Sequence, residues 1–128
     1  MEMINIDEFI KQMTIFFPEI EEEINDRMKE TFEGLDTIVI EEIVMPKVTE
    51  LIKRNVETVR LRELFEYFEN VCTNSDEYLL NVFSITALEI LGNEIAILKI
   101  AKEYMGPITK KLQWEADIDL GRIVEHHK

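Results

Sequence analysis

The side chains able to do chemistry in this sequence are mostly carboxylates. Their densest group is Glu19, Glu21, Glu22, Glu23 and Asp26, with Arg27 as the neighbouring base. Acids at this spacing could ligate a metal, move protons or dock a basic surface. A metal-binding helical bundle wants Glu-x-x-His pairs projecting inward from facing helices. No such pair exists, and the two histidines, His126 and His127, are adjacent and close to the end. Neighbouring helical positions point about 100° apart, which is poor geometry for chelation. Glu63, Glu66 and Glu69 recur every third residue on a face that reads as solvated. Cys72 is the single cysteine; it excludes an intrachain disulfide, fits a reducing compartment and reads as a small buried apolar residue. There is no Gly-rich phosphate loop and no Ser/His/Asp arrangement. The sequence therefore points to no catalytic residue, metal or cofactor, and the expectation is a protein that is not an enzyme.

What remains for the acids is docking or simple solvation. The net charge is −13 and unevenly placed. Residues 1–34 hold ten acids and three bases, residues 74–92 three acids and no base, while 93–128 balance. Such a field repels nucleic-acid phosphate and anionic membrane, and it attracts basic proteins and raises their on-rate. Glu19, Glu21, Glu22, Glu23 and Asp26 are thus the candidate partner-binding surface, to which Met or aromatic neighbours would add affinity. A helix face kept acidic for solubility is the plainer alternative.

These acids need a scaffold, and the periodicity is helical throughout. The stretch SDEYLLNVFSITALEILG, residues 75–92, is apolar nearly all round and must be enclosed by other elements. Glu89 and Asn81 within it make it a poor membrane span. Asn81 is expected to satisfy backbone groups near a helix end or the Pro46 kink, and Glu89 to pair with Tyr104 or Lys99. Ser75 opens half a capping box, with Asp76 and Glu77 favourable in the first turn.

Ahead of it, Phe9, Ile10, Met13, Phe16 and Phe17 define a first helix capped by Asn5 or Asp7. Pro18 starts a second running to about Phe32, where Gly34 closes it. Residues 35–55 contain the β-branched run Thr37–Ile40, but no second strand exists to pair with it. Ile40, Ile43, Val44, Val48, Leu51 and Ile52 fit a helix, capped by Asp36 and kinked or split at Pro46. Leu61, Leu64, Phe65, Phe68 and Val71 mark another helix over 58–72. After Gly92, Ile97, Leu98, Ala101 and Tyr104 face the core, and Gly106-Pro107 restarts a last helix carrying Ile108, Leu112 and Trp114. The predicted architecture is all-α: one domain over 1–128, a compact bundle of six to seven helices. It contains a HEAT-like antiparallel hairpin around the central helix 75–92, and the tail frays from about residue 118.

LFEYFENVCTNSDEYLLNVFSITALEILGNE and EYMGPITKKLQWEADIDLGR carry a further signal. Together they resemble a family of small, acidic, all-helical bacterial proteins known only as a domain of unknown function. The shared features fall on Phe65, Phe68, Glu69, Asp76, Asn81, Leu88, Glu89, Leu91, Gly92, Met105, Gly106, Pro107, Gly121 and Arg122. Families of this size and acidity often serve as immunity proteins beside toxins, an analogy of class rather than of motif. The acidic start, MEMINIDEF, lacks the basic region of a secretory signal. The expectation is a cytoplasmic, non-enzymatic protein-binding module, most concretely an immunity protein that neutralises a basic toxin. A helical adaptor or a homodimer joined through exposed Phe and Met residues is the alternative.

Overall fold

A computed structural model describes residues 3–30 and 34–121. Among these residues the chain forms seven helices and no strand. They are α1 (Ile6–Phe16), α2 (Glu21–Arg27, entered through a 3-10 turn at Pro18–Ile20), α3 (35–54), α4 (Thr58–Asn74), α5 (77–91), α6 (Ile95–Tyr104) and α7 (Pro107–Asp119). The all-α bundle read from the sequence is the fold.

Phenylalanines hold its centre. Phe9 of α1 stacks on Phe68 of α4 and meets Phe83 of α5 edge-on, and Phe65 packs edge-on against Phe68. All four are fully buried, each stabilising the fold by roughly 1.5–3 kcal/mol relative to exposure. The apolar positions picked from the periodicity of α1, α3, α4 and α6 form this core. The chain start is tied in as well. Ile4 N–H donates to the Asn74 carbonyl and Asp76 N–H donates to the Ile4 carbonyl, clipping the segment before α1 to the α4–α5 turn.

The caps differ in part from expectation. Asn5 is the α1 cap, accepting from Glu8 N–H at 2.9 Å. Asp76, not Ser75, caps α5, accepting from Leu79 N–H at 2.8 Å. Its carboxylate meets both the orphan N–H and the positive end of the helix dipole, while the buried Ser75 hydroxyl has no partner among the described residues. Asp36 sits inside the first turn of α3 and accepts from the Tyr78 hydroxyl; Gly34, at φ 86°, occupies the cap position instead. Glycine, lacking a Cβ, enters that left-handed region without steric cost. α2 also stops earlier than its Ile20–Ile24–Met28 stripe suggests. It ends at Arg27, and Phe32 lies outside the described residues.

Pro46 does not break α3. The helix widens into a π-helical turn over Ile40–Val44, with Met45 N–H donating to the Ile40 carbonyl, and resumes α geometry at Met45. Proline has no N–H to return and its ring crowds the carbonyl four residues back. Winding the preceding turn i→i+5 relieves both problems without losing the helix axis. A second π turn, Phe83–Leu88, interrupts α5, and the two π turns lie against each other. No proline accompanies the second, so nothing in the local sequence announces it.

The central helix is less enclosed than its composition implies. Phe83, Ala87, Leu88 and Leu91 are buried, but Tyr78 and Ile85 are each 51% exposed and Asn81 faces solvent. Its open side arises because α7 packs across α4 and α5 rather than capping α5 all round.

The face of α7 is the largest departure. Ile108 and Trp114 are exposed and Leu112 is half-buried, whereas Thr109, Gln113, Ala116 and Asp117 are buried. Thr109, Gln113 and Asp117 recur every fourth residue, so the helix turns a polar stripe inward. Partners explain this choice. Glu69 of α4 accepts from Thr109 N–H at 2.9 Å, Ile108 N–H at 3.1 Å and the Thr109 hydroxyl at 2.7 Å, capping α7 from another helix. Gln113 donates from Nε2 to the Leu88 carbonyl at 2.8 Å and to Asp117 Oδ1 at 3.2 Å. A polar group is tolerated in a core when hydrogen-bonded, and here those bonds fix the helix rotation.

Gly106 makes the Glu69 cap possible. A Cβ there would lie 2.5 Å from Glu69 Cδ and Oε1. Glycine is needed for the close approach of the carboxylate, since φ is an ordinary −74°. Burial alone would raise the Glu69 pKa, but the Thr109 hydroxyl and the Thr109 and Ile108 N–H groups together hold it below the usual glutamate value.

Candidate functional site

The acids singled out by sequence do not form one uniform surface. All five are exposed, but α2 and its entry turn give them different neighbours. Ile20 and Ile24 anchor one side of the helix in the core, so Glu21, Glu22 and Glu23 must lie around the outer side.

Glu19, in the entry turn, borders a small cleft of about 70 Å³ with Lys47, Arg54 and Arg60. There Arg60 donates to the Phe16 carbonyl, lies 4.7 Å from the Phe17 ring centroid and pairs with Glu57. Glu19 therefore belongs to a mixed-charge cluster at the α2–α3 junction. Asp26 pairs with Lys29 at 3.3 Å, an exposed i,i+3 contact worth at most about 1 kcal/mol. Arg27 turns away from the patch to Glu42 of α3 at 2.7 Å. That hydrogen bond raises the Arg27 pKa first, against the lowering effect of burial, with Glu42, Glu30 and Glu23 adding to it through their charge.

Glu21, Glu22 and Glu23 form no salt bridge among the described residues. They are three consecutive carboxylates in the first turn of a helix anchored by its buried isoleucines. Met28, 37% exposed, sits at the other end of that helix. Such a surface can attract a cation-rich partner and present one soft apolar contact beside it.

The other residues weighed for function fall as follows. Asn81 lines an open groove with Asp76, Glu77, Tyr78, Leu80, Ser84 and Leu112 rather than serving backbone groups at Pro46. Glu89 reaches neither Tyr104 nor Lys99. The Tyr104 hydroxyl donates instead to Asn55 Oδ1 at 3.0 Å, on the left-handed residue that ends α3. Glu89 borders a cleft of about 450 Å³ between the two π turns. This cleft was not legible from sequence, because the second π turn that shapes it has no local signature.

Cys72 is buried against Thr109, whose hydroxyl lies 3.6 Å from its sulfur. Burial pushes its thiol up to about 11, outweighing the Thr109 contact. Glu63, Glu66 and Glu69 do not act together, since Glu69 is committed to the α7 cap. His126, His127, Arg122 and Ile123 lie outside the described residues. Among the described residues no three His, Cys, Asp or Glu side chains group closely enough to hold a metal ion, and no helix is long and apolar enough to cross a membrane.

The molecule is thus an all-α bundle whose last helix is pinned by a carboxylate from its fourth. The chain belongs to the family described as "Domain of unknown function (DUF7674)", whose profile matches residues 10–120. No curated protein and no solved structure matches it. Glu69, Leu88, Gly106 and Pro107, all among the features that carried the resemblance, meet in the seat of α7. Their role here is to position that helix.

Proposed function

We propose that this protein is a non-enzymatic binding module of the cytoplasm that docks a basic protein on the outer face of α2. The observation that carries this reading is the exposed run Glu21–Glu22–Glu23, with no salt bridge among the described residues. It lies on a helix whose own arginine is drawn away to Glu42. A like-charged run costs stability through self-repulsion, and it steers a cationic partner at a distance. The most concrete form is an immunity protein that covers the positive cleft of a cognate bacterial toxin.

The test is affinity capture followed by a salt series on the recovered partner, with E21K/E22K/E23K as control. The partner should be basic, its affinity should fall steeply with rising salt, and the triple variant should lose it while its helical circular dichroism stays unchanged. Salt-insensitive binding, or full binding by the triple variant, would overturn the reading.

A second reading, a homodimeric adaptor, has its own observation, though not the one first expected. The described phenylalanines are buried or half-buried. The exposed apolar side chains include Trp114 and Ile118, one turn apart on α7, at 43% and 42%. Light scattering over a concentration series would show a dimer that W114A and I118A abolish.

A further inference from the structure

The cleft between the two π turns combines features that recognise one kind of group. Thr37 and Glu41 of α3 form one wall, Ile85, Thr86, Glu89 and Ile90 of α5 the other, with Leu120 at one end. Its volume of about 450 Å³ falls within the range of small-ligand sites. Glu41 and Glu89 form no salt bridge among the described residues. Thr86 borders the cleft although it is only 5% exposed, and its hydroxyl has no hydrogen-bond partner among the described residues. That hydroxyl borders the cleft and can accept a hydrogen bond from an occupant. Ile85, half exposed, together with Ile90 and Leu120 adds apolar surface to the lining. The walls exist because each helix is locally unwound at this level, and π turns recur at functional sites.

We infer that this cleft binds an alkylguanidinium or alkylammonium group. The cation lies between Glu41 and Glu89, an N–H donates to the Thr86 hydroxyl oxygen, and the aliphatic stem packs on Ile85, Ile90 and Leu120. A carboxylate pair supplies charge-assisted hydrogen bonds, strongest where water is partly excluded. An arginine or lysine side chain of a protein and a free small amine present the same chemistry. The site is built from α3 and α5 and stands whether or not α2 docks a partner.

The test is an amide-resolved NMR titration of the full chain with three probes: n-butylguanidinium, the capped peptide acetyl-Gly-Arg-Gly-amide, and uncharged n-butanol. Saturable shifts should centre on Thr86, Ile85, Glu89 and Glu41 with the cationic probes and be far weaker with n-butanol. E41Q/E89Q should weaken n-butylguanidinium roughly tenfold or more, as loss of charge-assisted bonds predicts. T86V should weaken it several-fold, and both variants should keep the parent circular dichroism. Binding of both cations assigns the site to a protein side chain, and binding of n-butylguanidinium alone assigns it to a free small molecule. Equal response to n-butanol, shifts confined to α2, or unchanged affinity in E41Q/E89Q would overturn the inference. Were E41Q/E89Q to fold poorly, T86V and single E41Q, at an exposed position, decide the matter by the same readout.

Discussion

The seat of α7 yields a prediction that separates a specific cap from general packing. Replacing Gly106 with alanine puts a methyl group where the Glu69 carboxylate now lies, 2.5 Å from Cδ and Oε1. Glutamate is flexible, so the clash itself is cheaply relieved by moving the side chain. Moving it, however, breaks three hydrogen bonds to the start of α7. Loss of a helix cap costs about 0.5–2 kcal/mol, and the carboxylate's interaction with the helix dipole adds roughly 0.3–1 kcal/mol. G106A should therefore destabilise by about 2 kcal/mol, and E69A by a similar amount.

The decisive quantity is the double variant. With Glu69 already gone, the methyl group meets nothing of consequence, so G106A in the E69A background should cost under about 0.5 kcal/mol, a strongly non-additive cycle. Urea unfolding followed by circular dichroism at 222 nm gives all four values. Additive costs would refute the reasoning, because they would mean that glycine is required for the backbone and not for the carboxylate. The pH dependence adds a check. Glu69 has its pKa lowered in the folded state, so its contribution is present above the unfolded glutamate value and fades as pH falls through the folded one. The parent should lose slightly more stability than E69Q across that acidic window. Partial exposure keeps the difference small.

The buried polar stripe and the remaining side chains give further expectations. Q113L should destabilise by about 1–3 kcal/mol, because it strips a donor from buried Asp117 and from the Leu88 carbonyl; a neutral or stabilising result in urea unfolding would show that the stripe is dispensable. Cys72, with its thiol raised to about 11, should resist thiol reagents at pH 8 in the native state and react at once in denaturant. Because that pKa is raised, the neutral thiol's contribution is intact below the ordinary thiol range and lost as pH climbs through the folded value. Trp114, 43% exposed, should emit at long wavelength and be quenched efficiently by acrylamide in the folded monomer; a blue-shifted, protected signal that appears with concentration would indicate self-association through α7.

The helix class, the order of the elements and most of the core were legible in the residues themselves, because 3.6-residue periodicity is a local property. Ile43, Val44, Val48, Leu51 and Ile52 settle α3 as a helix despite the β-branched Thr37–Ile40 run, since every one of them lands in the core. Punctuation was equally local: Asn5 as a cap, Pro18 at a helix start and the Gly106–Pro107 restart. Sequence also located the five acids and their density, though not their neighbours.

What required the tertiary structure was every choice that depends on a distant partner. The α7 stripe of Thr109, Gln113 and Asp117 is polar, and hydrophobicity alone turns the opposite face inward. Glu69, some 40 residues earlier, and the Leu88 carbonyl supply the partners that reverse that preference. Pro46 signalled a disturbance, but whether the helix breaks, kinks or widens depends on what packs against it, and here that is a second π turn with no sequence mark of its own. The acidic run, uniform along the chain, is divided in space: Glu19 lies by the bases of α3 and α4, Asp26 by Lys29, and Glu21 to Glu23 form no ion pair among the described residues.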